Sequence, residues 1–148
     1  MTMARDFRMS TARRLGNAMI SRLVARGIGP KDTYLLTVGG RTTGLPRTTP
    51  VLVLTRAGER WLVAPYGVVS WVRNVRAAGK VTLRKGGTVE TVGVTEVGPE
   101  EAGPVLKDYV EKVRIVRPYF DAAPGAPAAD FAAEASRHPV FRIGAPAA

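Results

Sequence analysis

The apolar positions of this chain alternate between two periods, and the switches mark its elements. Between residues 7 and 26 the spacing is helical. Leu15, Met19 and Leu23 stand four apart with Ala12 and Ile20 beside them, and Arg13, Arg14, Arg22 and Arg26 make a basic face. Gly27 and the pair Gly29-Pro30 end that helix. Residues 33–38 are rich in β-branched and aromatic side chains and predict a strand. Residues 51–54 (VLVL) and 61–64 (WLVA) are short unbroken apolar runs, which predict strands covered on both faces. Val68, Trp71, Val72 and Val75 return to helical spacing, with Ser70 as the expected cap and Gly79 as the stop.

Further along, Gly86-Gly87 joins two strands over residues 81–85 and 88–97. The second strand changes phase: Val89 and Val97 share one parity, Val92 and Val94 the other, so a bulge is expected near Glu90 and Thr91. Ala102, Val105, Leu106, Tyr109, Val110 and Val113 form the cleanest helical stripe. Pro99, Glu100 and Glu101 open it, Gly103-Pro104 is expected to push its true start inward, and Pro118 ends it. Residues 121–133, rich in Ala, Pro and Gly, read as a loop; 139–143 read as a last strand, and 144–148 as a frayed tail.

The order is helix, three strands, helix, two strands, helix, one strand. It predicts an α+β, mainly β architecture: a small, mostly antiparallel barrel of about six strands with flanking helices. A doubly wound parallel sheet is disfavoured because strands and helices do not alternate. The length of 148 residues fits one domain, read as 31–148 behind an N-terminal helical segment, 1–30.

Composition removes several chemistries. There is no cysteine, hence no disulfide framework and no thiolate site, and His138 is the single histidine. No apolar run reaches the ~20 residues of a membrane span. The N-terminus has arginines but no continuous apolar core of a secretory signal, so a cytoplasmic protein is expected. A basic amphipathic helix can lie on a membrane surface, which makes weak peripheral contact through residues 7–26 an expectation too. Residues 1–95 hold 16 Lys/Arg against 4 Asp/Glu, net +12, whereas residues 96–148 hold 6 against 8, net −2. A polyanionic partner should therefore meet the first two thirds of the chain. Nucleic acid is disfavoured, because the exposed aromatics that stack single strands are not interleaved with the charges.

The turn at residues 39–50, GGRTTGLPRTTP, is where that partner would be held. Its three glycines permit left-handed backbone, its two prolines fix φ, and its four threonines and two arginines supply donors. Such turns can gather backbone N–H groups around an anion, and guanidinium adds a fork that matches phosphate. They are also ordinary punctuation between strands.

The stretch GRTTGLPRTTP (residues 40–50) resembles the turn signature of the deazaflavin-dependent nitroreductase family. That family consists of split β-barrel proteins of FMN-binding-like architecture, most abundant in actinobacteria, which use coenzyme F420. Residues 70–79, SWVRNVRAAG, resemble its second signature at a helix start, and residues 117–121, RPYFD, resemble its third region. The likeness implies that Arg41, Thr42, Thr43 and Arg47 grip the cofactor's phosphate and oligoglutamate tail. Thr48, Thr49, Pro50, Val51 and Leu52 would run beside the ring, and Ala64, Pro65, Tyr66 and Gly67 would line its other side. Ser70, Trp71 and Asn74 would contact it from the helix, and Tyr119 would lie over the substrate face. Read without the resemblance, Trp71 is most simply core and Asn74 most simply a surface residue. The chain departs from some members in having Thr42 where they carry lysine, and Tyr66-Gly67 where they carry a serine-lysine pair. It also keeps a single tyrosine, Tyr119, in the third region.

The implied function is an F420-dependent oxidoreductase that passes hydride to a quinone, enone or nitroaromatic-type acceptor. The implied partners are the cofactor (FMN as the alternative) and a small hydrophobic acceptor, with a homodimer as a further expectation. Tyr119 and Tyr66 are its catalytic candidates, to orient the acceptor or relay a proton, or else simply an aromatic wall. The alternative is a non-catalytic binder of a flavin, deazaflavin or lipophilic ligand on the same barrel. His138 receives no role.

Overall fold

The computed structural model of the chain describes residues 32–146. The helix expected over residues 7–26, and with it the 1–30 segment, lies outside them. The described strands are β1 (Thr33–Gly39), β2 (Pro46–Arg56), β3 (Glu59–Val63), β4 (Lys80–Lys85), β5 (Thr88–Glu96) and β6 (Val140–Pro146). The helices are α1 (Ser70–Ala78), α2 (Pro99–Lys112) and the short α3 (Ala128–Ala132), with 3-10 turns at Arg114–Tyr119 and Ala135–Arg137. The sheet closes in the order β1-β2-β3-β6-β5-β4, and every pairing is antiparallel. The expected six-stranded, mainly β barrel is what forms.

The unbroken apolar runs have the predicted cause. Successive side chains of a strand point to opposite faces. Val51 and Val53 of β2, Leu62 of β3 and Phe141 of β6 enter the barrel with Leu36, Leu83 and Val92. Their neighbours Leu54, Trp61, Val63 and Val140 turn outward onto a second core built from α2 and the segments after it, where Leu106, Val110 and Phe131 are fully buried. Both faces of β2, β3 and β6 are therefore covered along the stretches that carry these side chains. Helix α1 closes one end of the barrel with Val72 and Val75. Toward the other end Arg60 of β3 reaches Glu90 of β5 through two hydrogen bonds, 2.5 and 3.1 Å. Those bonds hold the Glu90 carboxyl below its usual range, against the opposing effect of burial.

Several boundaries differ from expectation, each for a local reason. Val89 points to solvent and Glu90 turns toward Arg60, so β5 needs no bulge there; its irregularity lies between Val92 and Val94. The cap of α1 is Val69, without a side-chain bond, and Ser70 is the first helical residue; Gly79 ends the helix at φ 73° as expected. Helix α2 starts at Pro99 and carries Gly103 and Pro104 within it, because α3 packs so closely on Gly103 that a Cβ there would lie 2.7 Å from the Ala128 carbonyl oxygen. It ends at Lys112, and Pro118 falls in the 3-10 turn that follows. Residues 121–133 contain α3, anchored by buried Phe131. Strand β6 runs on through Pro146 where a frayed tail was expected.

This packing makes two tests available. Gly103→Ala would gain about 1 kcal/mol of helix propensity at an open site, but here overpacking costs about 1–3 kcal/mol and should win. Denaturant unfolding should show net destabilisation. Glu90, whose native pKa is lowered, contributes stability above the usual carboxylate range and loses it as pH falls through that range and below. Glu90→Gln should therefore cost about 1–2 kcal/mol near neutral pH, and the gap to wild type should close in thermal melts near pH 3.

Candidate functional site

Strand register gathers the candidate residues at the barrel end that α1 closes. Gly39 pairs with Pro46 there, and Val63 pairs with Val140. The turn between β1 and β2 is shorter than the sequence suggests, because β2 already begins at Pro46. It is held by two backbone bonds, Gly40 N–H to the Leu45 carbonyl and Gly44 N–H to the Gly40 carbonyl, each 2.8 Å. The Leu45 N–H also donates to the Thr43 hydroxyl at 3.2 Å. Gly44 takes φ 73°, which a side chain would disfavour. Arg41, Thr42, Thr43, Arg47 and Thr48 are all exposed.

One contact joins this turn to α1. The Asn74 side-chain oxygen accepts both the backbone N–H of Arg41, at 3.1 Å, and its guanidinium Nη1, at 2.9 Å. Asn74 is buried, so the surface position expected for it without the resemblance is corrected. A buried carboxamide needs its partners, and Arg41 supplies two. Arg41 of the turn, Arg47 at the start of β2 and Arg73, the chain neighbour of Asn74, are exposed residues. Ser70 is exposed at the first turn of α1, while Trp71 is half-buried against the barrel core, its ring 6.1 Å from that of Phe141.

From the turn, β2 leads toward the tyrosines. Thr48, Pro50 and Leu52 share its outer face over roughly 13 Å, and Leu52 packs against the outer core together with Tyr66. Thr49 and Val51 take the opposite face, and the side chains of Val51 and Ala64 belong to the barrel core. Those two can meet a ligand only through backbone. Pro65 is buried, Tyr66 and Gly67 are half-buried, and Gly67 sits at φ 95°. Tyr66 meets Tyr119 edge to face, with ring centroids 4.9 Å apart and planes at 78°. Tyr109, read from sequence as one more residue of the helical stripe, lies buried beside this pair. Burial, and then the neighbouring Tyr66, push its phenol pKa up.

Behind Pro65 lies a polar group that the sequence does not announce. His138 and Glu134 are each 3% exposed. His138 Nδ1 lies 2.8 Å from the Pro65 carbonyl oxygen, and Nε2 lies 2.8 Å from Glu134 Oε1. Glu134 also accepts the backbone N–H groups of Asp121 and Ala122, at 3.1 and 2.8 Å. Phe120 stacks on the imidazole at 3.8 Å. Burial lowers the His138 pKa, opposed by its bonds to Glu134 and Pro65. The only signal in the sequence is the four-residue spacing of Glu134 and His138, between the stretch that reads as a loop, 121–133, and the last strand.

The exposed arginines, the apolar track along β2 and the tyrosine pair suit a long ligand with an anionic tail and a flat ring. The family model for F420H(2)-dependent quinone reductases matches residues 8–121. The chain belongs to that family. It is an F420-dependent oxidoreductase, and coenzyme F420 is its cofactor. The resemblance read from the turn and from α1 holds at the level of these F420-dependent split barrels. No curated protein matches the sequence significantly. Among solved structures, the chain is similar to an F420-H2 dependent reductase (FDR-A), at 23% identity and TM-score 0.55 over 77% of this chain and 95% of that one. It is similar to a protein described as a domain-swapped dimer, at 20% identity and TM-score 0.56 over 90% and 96%. A NimC/NimA family protein from Clostridium acetobutylicum shares 12% identity and TM-score 0.55 over 88% and 84%. At these identities the structural likenesses show the fold. Among the described residues no helix is long and apolar enough to cross a membrane.

Asn74→Ala would strand two donors of Arg41 and leave a buried gap. It should lower stability by about 1–3 kcal/mol, read by thermal unfolding of the cofactor-free protein.

Proposed function

We propose that this F420-dependent oxidoreductase reduces quinone-type acceptors, with enones and nitroaromatics as chemically related alternatives. The observation that carries the reading is the Arg41–Asn74 junction, which fixes an exposed cationic turn at the barrel end that also bears Tyr66 and Tyr119. In this reading Arg41, Thr42, Thr43 and Arg47, with Ser70 on α1, hold the anionic tail. Guanidinium and hydroxyl donors supply the charge-assisted bonds that phosphate and carboxylate need. Thr48, Pro50 and Leu52 along β2 would seat the ring from one side, and the Pro65–Gly67 loop and Trp71 from the other. Thr49, Val51, Ala64 and Asn74 would contribute through backbone or by holding their neighbours in place.

Bound in its reduced form, coenzyme F420 supplies the hydride, and the protein's task is placement and exclusion of water. Tyr66 and Tyr119 would face the acceptor. A phenol O–H at this position can donate to the quinone oxygen that gains charge as hydride arrives. The likeness to an F420-H2 dependent reductase supports the cofactor side of the reading, and membership of a quinone reductase family supports a quinone. A homodimer is part of the same proposal, supported by the domain-swapped relative. Peripheral membrane contact through residues 7–26 would bring the protein to lipophilic quinones at the inner face of the membrane. It predicts co-sedimentation with anionic vesicles that deletion of residues 1–26 abolishes.

Arg47→Ala should weaken F420 binding about 10- to 100-fold, the worth of one charge-assisted contact, with the melting temperature little changed because Arg47 is exposed. Fluorescence titration reads the first quantity. An unchanged affinity would remove the turn from the site. Reduced F420 should be oxidised by a quinone panel in the presence of the protein, and binding without oxidation would make it a carrier instead.

A further inference from the structure

We propose that Glu134 and His138 are positioning residues that fix Tyr66 and Tyr119 relative to one another. The inference rests on the reading above that this tyrosine pair faces the acceptor. Tyr66 and Tyr119 come from segments far apart in sequence, the loop after β3 and the 3-10 turn after α2. Neither segment belongs to the barrel ladder, so something else must set their spacing.

The buried pair touches both. His138 holds the Pro65 carbonyl, one peptide from Tyr66. Its chain neighbours reinforce that side: the Pro139 carbonyl accepts the Ala64 N–H at 2.8 Å, and the Arg137 carbonyl lies 3.4 Å from where a Cβ on Gly67 would stand. Glu134 holds the N–H groups of Asp121 and Ala122, just beyond Tyr119. Phe120, next to Tyr119, is stacked on the imidazole. The 2.8 Å bond between Nε2 and Oε1 ties the two clamps into one unit.

The placement of hydrogens specifies the arrangement. The Pro65 carbonyl offers no hydrogen, so Nδ1 must carry one and donate it. A second hydrogen lies between Nε2 and Oε1. The other charged groups around this unit are Arg137, whose Nη2 lies 3.7 Å from Glu134 Oε1, and Asp121, which Arg137 also bonds at 2.8 Å. No group of the unit needs to touch cofactor or acceptor. Its effect would pass through the angle and distance of the two rings, and a misplacement of about 1 Å can cost on the order of 100-fold in rate.

Two substitutions separate this role from mere stability. His138→Asn keeps a donor where Nδ1 stands and loses the contact to Glu134; His138→Gln keeps a donor where Nε2 stands and releases Pro65. Each variant breaks one side of the clamp, so quinone reduction with saturating F420 should fall about tenfold or more in kcat for both, while the Kd for F420 stays within about twofold. A kcat close to wild type in either variant, after correction for folded fraction, overturns the inference. Tyr66→Phe and Tyr119→Phe test the reading beneath it: if neither changes turnover while the histidine variants behave as expected, the tyrosines are not the acceptor contacts. Should either histidine variant fail to fold, nitrogen NMR of the wild-type imidazole decides. A hydrogen on Nδ1, together with ring-to-ring NOEs between Tyr66 and Tyr119, supports the proposal; an Nδ1 without hydrogen, or the absence of those NOEs, overturns it.

Discussion

The fold rests on strands β2, β3 and β6 being covered on both faces. A sheet of alternating pattern needs only one dry side, but β2 and β3 carry unbroken apolar runs and β6 sets Val140 on one face against Phe141 and Ile143 on the other, so each face must find a partner. Barrel closure covers one face. Helix α2 and the segments up to β6 cover the other, with Trp61, Val63, Leu106 and Phe131 among the buried side chains. Burying one large apolar side chain contributes roughly 1.5–3 kcal/mol, so the outer layer is held in its place as firmly as the barrel interior. That hold brings the 3-10 turn bearing Tyr119 back to the loop bearing Tyr66.

Most of the barrel is legible in the sequence because it is written in local patterns. The runs at residues 51–54 and 61–64 state two-sided burial directly, and Gly79 and Gly86 state their turns through the φ values they alone adopt easily. The elements that differ from expectation have weak local signals overridden by tertiary contact. Residues 121–133 look like a loop until Phe131 is seen buried under α2. Gly103-Pro104 looks like a helix break until the close approach of α3 explains the glycine, and the apparent bulge at Glu90 is a charge turned toward Arg60.

The candidate site divides the same way. The turn and the start of α1 carry a dense enough motif to be placed from sequence, and the Arg41–Asn74 bonds show why those two stretches must occur together: each satisfies groups the other exposes or buries. The residues behind the tyrosines are not legible. Glu134 and His138 are two of several polar positions after an Ala-rich stretch, and nothing local says that their partners are Pro65, Asp121 and Ala122. Tyr109 likewise reads as core by periodicity, and only the structure sets it beside Tyr66. The single tyrosine of the third sequence region thus becomes one of three in space.

This division follows from what each part has to do. In the proposed reading an anionic tail is held by exposed cations on a short turn, which composition and the turn motif reveal. Ring and acceptor must be held to within fractions of an ångström, and exposed loops cannot provide that alone. A buried hydrogen-bonded group is stiff because each donor it released would cost about 1–3 kcal/mol, and Glu134 with His138 anchors three backbone groups at once. If the proposed reading holds, the barrel can tolerate an exposed turn such as Arg41 to Leu45, because the tyrosine pair is anchored separately, from within the outer core.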